Sequence, residues 1–560
     1  MHLGPRVLAS LTRSLALVLA LVPVIGAAKH APCQAPLEEL AGDAPTLLFS
    51  LLEDSARSDP MLALEAGRAL LAHKAIGSKS AERLRVVLGI GQVRLLLGSA
   101  DEAIEASRHV EASLEVAGLA ASNAGVAKRL AAGARALEIR ALLYRGAFGD
   151  ALLAARRAEK ALGLDDAELR SAHAAALYRN RRFNEAAAAY RGLLRDDPLH
   201  VEALMRLGGG LQEARPAPVD ASLALAIALR KRGEDGRARV GLSRVLASHT
   251  EHPTALRMLG ELELTAERQK NPLVARGFFE EQFHALDPVR VEPWVLRFVP
   301  DYRALDEGRR QMVRVSLRPF GDELRRVLEK GGRHDLLAAG ERTTDASERA
   351  FLRGQKTFDG RVWDDVRGIG GLCAATGVEA LDEAREGGFQ TLVHEFAHQL
   401  HFHAMSASES AEIDRLYARA KRLGLTLDYY AASNAGEYFA QGFEAWFSLV
   451  KVPGQPITHG HTRFELERKD PELAQFIARV ARFDPLMDGL GDPAQANARA
   501  RWAALFRAAK DAVRPQDAAD ILARLQKAGG TRDSGLAGEL DALNERLGCC
   551  SGHGRAAQPR

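Results

Sequence analysis

Apolar and small residues recur at helical spacing from about residue 45 to 290, in stretch after stretch separated by short polar breaks. That spacing predicts a run of consecutive helices. Near residue 290 the texture changes. Pro288, Pro293 and Pro300 interrupt the helical pattern, and Trp294, Phe298 and Tyr302 gather aromatic residues. The pattern beyond is mixed: helical over 306–330, short strands at about 333–340 and 361–370, then the glycine-rich stretch RGIGGLCAATG. After about residue 490 alanine-rich helices return and run into a polar tail, which reads as disordered. The expected fold class is therefore mainly α, with three parts at 45–290, 300–490 and 491–560.

The first part carries an internal repeat. Tyr178, Phe183, Ala186, Tyr190 and Pro198 lie in ALYRNRRFNEAAAAYRGLLRDDP. Gly98, Ala103 and Val110 sit similarly in their own helix pair, as do Gly146, Phe148, Ala151 and Ala158, and Gly233, Ala238 and Leu242. Ala275, Phe279 and Pro288 read as a degenerate further copy, and insertions fall near 112–130 and 212–222. The arrangement resembles tetratricopeptide repeats, in which small residues let paired helices approach and proline ends the second helix. The resemblance implies an α-solenoid over 45–290 with a groove for a protein or peptide partner.

Composition narrows the classes. The 560 residues hold 76 Lys+Arg against 73 Asp+Glu, a net charge of +3. No basic excess or stripe of the kind that neutralises phosphates is present, so no nucleic-acid partner is expected. A mean hydropathy of −0.16 excludes a polytopic membrane protein. Residues 1–28 read as a secretory signal: Arg6 and Arg13, an apolar core from Leu15 to Ile25, then Gly26-Ala27-Ala28 as a cleavage site. The core is too short for a comfortable membrane span. The expected protein is exported by a bacterium to the periplasm or beyond, with no integral membrane domain after cleavage. Cys33, Cys373, Cys549 and Cys550 could pair there, but no CxxC spacing points to a zinc knuckle.

Candidate chemistry lies in FQTLVHEFAHQLHFH, where His394-Glu395-Phe396-Ala397-His398 forms an HExxH. Four residues turn a helix by about 400°, so both imidazoles share one face and can grip one Zn²⁺. Glu395 falls beside the metal, where a general base acting on a metal-activated water belongs. A third ligand is needed. His401 lies roughly on the same face, yet a straight helix carries it about a turn too far, and His403 is out of register. Glu437, in YYAASNAGEYFAQGFEAWF, is the better candidate, at the start of a second helix with Gln441 and Glu444 on its face. His459 and His461 read as a solvated rim loop, and Cys373 as a small buried hydrophobe. Gly368, Gly370 and Gly371 read as a flexible stretch with no phosphate-binding pattern.

HEFAHQL followed by a tyrosine and E-Y-F-A resembles the gluzincin metallopeptidases, particularly the group of the anthrax lethal factor protease domain and Mlc titration factor A. The resemblance implies an α+β zincin-type domain over 300–490, with zinc held by His394, His398 and Glu437 and with Glu395 as base. It also implies that Tyr430, seven residues before the third ligand, assists at the oxyanion, with Tyr429 the adjacent alternative. KDPELAQFIARVARFDP is similar to the closing helix of the titration-factor domain. His401 and Gln441 depart from the group, whose members more often carry acids there. The expected activity is zinc-dependent endopeptidase cleavage of a protein or peptide substrate. Two alternatives stand beside it: an inactive repeat scaffold with a metal-stabilised module, and a zinc hydrolase acting on other amides.

Overall fold

The computed structural model describes residues 45–77, 80–116, 123–209, 221–281, 293–318, 320–357, 361–481, 483–529 and 534–548. The expected leader at 1–28, Cys33, Cys549, Cys550, the polar tail and most of the insertion near 212–222 lie outside these residues. Helix makes up 73% of the structure and strand 3%, so the chain is mainly α, as the apolar spacing implies. Among the described residues no helix is long and apolar enough to cross a membrane.

Helix follows helix from Pro45 to Arg268, and sequence neighbours pack on each other. One turn recurs. Gly98, Gly146, Arg181 and Gly233 all have left-handed φ, at 86, 75, 61 and 74°. Each lies two residues before a helix, at Ala100, Phe148, Phe183 and Asp235. In each the turn residue's N–H bonds back three residues and the next N–H bonds back five, for example Gly146 to Leu143 and Ala147 to Leu142. This pairing satisfies the last carbonyls of the preceding helix and favours a residue without Cβ. Three residues into each following helix stands an alanine, Ala103, Ala151, Ala186 or Ala238, and all four are fully buried. The small side chain is what lets the paired helices close.

The same device returns where the sequence pattern showed only generic helices. Val513 has φ 56°, its N–H and that of Arg514 bond to Lys510 and Ala509, and the helix Pro515–Gly529 begins two residues on. Ala518 is fully buried at the matching position. This C-terminal pair, Ala496–Asp511 and Pro515–Gly529, then folds back on the start of the chain. Val513 and Leu543 share a core with Leu48, Leu52, Leu64 and Val86. Arg94 donates to the Leu547 carbonyl, and Arg546 pairs with Glu65.

Between the helical ends lies a small sheet of β1 (Arg333–Leu337), β2 (Gly368–Ile369) and β3 (Cys373–Gly377), ordered β1-β3-β2. β1 runs parallel to β3, and β2 antiparallel to it. Two expectations change. The strand read over 361–370 shrinks to β2, because Trp363–Asp365 forms a single 3-10 turn. The glycine-rich stretch is no loose segment: it is β2, a turn through Gly371 at φ 108°, and β3. The helix read over 306–330 is two helices, Glu307–Leu317 and Gly321–Glu329, with fully buried Phe320 between them. Phe320 lies 4.6 Å from Phe396 and 5.3 Å from Phe443, ring centre to ring centre. These rings join the HExxH helix to the later helix within one apolar core.

Candidate metal centre

The HExxH segment forms the helix Thr391–Gln399, which runs on into a wider π-helical turn at Leu400–Ala404. His394, Glu395 and His398 are buried. The partner helix is Ala435–Phe447, whose N-cap Asn434 accepts from the Glu437 N–H at 2.9 Å. That cap fixes Glu437 in the first turn, facing the two histidines. Glu437 Oε2 lies 3.2 Å from His394 Nε2 and 3.4 Å from His398 Nε2. Among the described residues, this is the one cluster of three such side chains close enough to hold a metal ion.

Buried charge sets the electrostatics. Burial alone would raise the Glu437 carboxyl, but the two imidazoles outweigh it and hold the pKa well below the usual carboxylate range. For His394 burial works downward, and Glu437 and Glu395 turn the shift upward. Burial pushes Glu395 up, against the pull of His394 and His398. Glu437 Oε2 and His394 Nδ1 are both buried with no hydrogen-bond partner. An orphaned carboxylate oxygen beside two imidazole nitrogens is costly without a cation, and it fits a metal ligand set.

The two tyrosines diverge. Tyr430 donates to Glu437 Oε1 at 3.4 Å, whereas Tyr429 turns to the helical repeats. Its hydroxyl accepts from Arg179 Nη1 at 2.6 Å, and its ring packs edge-on against Phe148 with centres 4.8 Å apart. Tyr430 is thus the tyrosine at the cluster. His401 stays out of it, stacked on Phe402 with centres 4.5 Å apart. Cys373 is half-buried at the start of β3 and is not part of the cluster. No family model, curated protein or solved structure matches the chain.

Several groups that hold the site carry no motif. A Cβ on Gly368 would sit 2.7 Å from Glu395 Oε1, and one on Gly370 2.7 Å from His398 Cβ. Glycine there lets the edge strand and the turn after it lie directly on Glu395 and His398. Gln399 donates to the Arg333 and Leu372 carbonyls, both at 3.0 Å, which turns its Oε1 toward buried His334 at 3.2 Å. His334 also meets Thr376 Oγ1 at 2.8 Å, and burial lowers its pKa to about 4. A neutral imidazole therefore ties the C-terminal end of the HExxH helix to the sheet. At the other end Glu444 accepts from the Gln390 N–H at 3.0 Å and from Lys451 Nζ at 2.5 Å. Both side chains of that ion pair are 1% exposed. The spacing puts Glu444 on the face of Glu437 as a support for it; in the structure Glu444 anchors the start of the HExxH helix.

His461 is buried and no part of a solvated rim. Its Nε2 meets Asp428 Oδ2 at 2.8 Å, and its Nδ1 lies 3.1 Å from Glu465 Oε2. Burial would lower its pKa, but the two carboxylates raise it to about 9. Asp428 also accepts from the Ala431 N–H at 2.7 Å, so the pair fixes the turn bearing both tyrosines. His459 stacks on Phe389 with ring centres 4.4 Å apart, and burial lowers it to about 4.

Proposed function

We propose that the chain is an exported zinc metallopeptidase: a tetratricopeptide-like helical scaffold carrying a gluzincin-like α+β domain. The observation that carries this reading is the convergence of His394, His398 and Glu437 with Glu395 beside them. Two ligand atoms on a tetrahedral Zn²⁺ stand about 3.3 Å apart, and the carboxylate-to-imidazole separations of 3.2 and 3.4 Å support that fit. A set of two nitrogens and one oxygen leaves a fourth position for water or substrate. Bound there, zinc would supply Lewis-acid polarisation of the scissile carbonyl and a water of lowered pKa.

The chain's own groups do the rest. Glu395, its carboxyl raised by burial toward the working pH, takes a proton from the attacking water and passes it to the leaving amine. Tyr430, whose hydroxyl donates to Glu437 Oε1, turns that proton to the developing oxyanion. The helical repeats form one wall of a cavity of about 690 Å³, and His394, Glu395 and Tyr430 line the other. A peptide entering the cavity therefore meets both parts of the protein, which gives the scaffold a role in choosing it. Export rests on the pattern of residues 1–28.

Glu395→Gln tests the assignment. It spares the three ligands, so the variant should bind zinc like the wild type while cleaving a peptide library about 10²–10⁴-fold more slowly. Undiminished cleavage by the variant would remove Glu395 from the role of base. A wild type with bound zinc and no turnover on peptides would favour an inactive scaffold.

A further inference from the structure

The cavity that receives the metal centre has an unusual opposite wall. Most of its charges are neutralised in place: Arg57 by Glu267 at 3.2 Å, Arg268 by Glu383 at 2.8 Å and Arg367 by Glu379 at 2.7 Å. Arg179 and Arg206 are different. Both line the cavity, and neither forms an ion pair with a carboxylate among the described residues. Arg206 lies over the Tyr178 ring at 4.4 Å, and Arg179 approaches the same ring at 5.9 Å. Glu202, four residues before Arg206, accepts from Ser171 and Tyr190 at 3.2 Å and from Arg140 at 3.4 Å. Burial would raise its carboxyl, but Arg140 and then Arg206 outweigh it and keep it charged, so Arg140 and Arg206 share this one acid.

Two guanidinium groups within 6 Å of one ring centre, with only Glu202 shared among Arg206 and Arg140 to balance them, favour a further anion in the cavity. Their planar forks suit a carboxylate, which they can grip in bidentate fashion. Burial pushes Glu261 of the wall up to about 8 and Asp365 above its usual range, whereas Arg367 overcomes burial and holds Glu379 down at about 2. The position is also linked to the chemistry. Arg179 donates to the Tyr429 hydroxyl at 2.6 Å, and the next residue, Tyr430, donates to Glu437.

We propose that Arg179 and Arg206 form a receptor for a free carboxylate of the substrate peptide, so that the cavity selects carboxylate-bearing peptides. This rests on the peptidase reading for its consequence but not for its test. The carboxylate has two possible sources, the peptide's C-terminus or an acidic side chain.

Binding is measured with full-length Glu395→Gln protein, which needs no turnover, and four fluorescent probes. They are tetra-alanine as the free acid and as the C-terminal amide, and Ala-Ala-Asp-Ala and Ala-Ala-Asn-Ala, both as amides. The free acid should bind about tenfold or more tightly than its amide if the C-terminus is read. The Asp probe should exceed the Asn probe by a similar factor if a side chain is read. Adding Arg206→Gln should bring the preferred ratio close to one, and Arg206→Lys should restore part of it. Equal binding within both pairs in the parent protein, a comparison that needs no arginine variant, overturns the proposal. So does a preference that survives Arg206→Gln. Carboxylate preference without cleavage by the wild type would keep this receptor and remove the peptidase reading.

Discussion

The helical repeats and the part that carries the His394–His398–Glu437 cluster solve the same problem, fixing helices against each other, by opposite means. In the repeats the means are local and apolar: a left-handed turn residue, two backbone hydrogen bonds and a buried alanine three residues into the next helix. Around the candidate metal centre they are distant and polar. Gln399 and His334 hold one end of the HExxH helix, and the Glu444–Lys451 pair holds the other. The repeats can lose a piece and keep their pattern. A helix that must aim two imidazoles at one point needs a specified position, and buried polar contacts supply it because each is costly to leave half-made.

Breaking the polar tie should have the largest effect. Glu444→Ala strands Lys451 in the interior and takes the acceptor from the Gln390 N–H, so it should destabilise the protein by about 3–5 kcal/mol in denaturant unfolding. Glu444→Gln with Lys451→Met keeps an acceptor and removes both charges, and should recover most of that loss. Gly370→Ala comes next. Its methyl group must displace His398 or the edge strand, so zinc affinity should fall roughly 10–100-fold in a chelator competition, with a smaller change in melting temperature.

His461 offers a pH test of the tyrosine-bearing turn. Its pKa is raised to about 9 from an unfolded value near 6.5, so its stabilisation is in full force below about pH 6.5. It fades as pH rises through about 9. The gap in melting temperature between wild type and His461→Gln should therefore be widest near pH 6 and narrow by pH 9.5. A gap that grows with pH would contradict the ion pair. The smallest effect belongs to the repeats. Arg181 is exposed and adopts the left-handed φ that three other copies give to glycine, so Arg181→Gly should stabilise by up to about 1 kcal/mol in thermal unfolding.

The same contrast explains what could be read from the chain. Helical spacing and glycine-alanine positions are periodic, so the repeats stand out, as do the HExxH pair and the second helix that starts near Glu437. The fifth turn at Val513 escaped because its helix pair stands beyond residue 490, apart from the run at 45–290, and has a valine in place of glycine; the valine side chain is used in the core joining the two ends of the chain. His334, Lys451 and His461 escaped for another reason. His334 meets Gln399 65 residues on, Lys451 the Gly388 carbonyl 63 residues back and His461 Asp428 33 residues back, and no spacing rule links contacts set by tertiary packing. The choice between Tyr429 and Tyr430 likewise needed Arg179, which stands 250 residues before Tyr429 in the chain.

The central claim is that His394, His398 and Glu437 form one metal centre with Glu395 as an unbound neighbour. Metal content of the purified full chain, measured by elemental mass spectrometry after zinc loading and dialysis, tests it most directly. The account predicts one zinc per chain in the wild type and in Glu395→Gln, and a loss of zinc in His398→Ala and Glu437→Ala. No zinc in the wild type, or full zinc retained in both ligand variants, would contradict it.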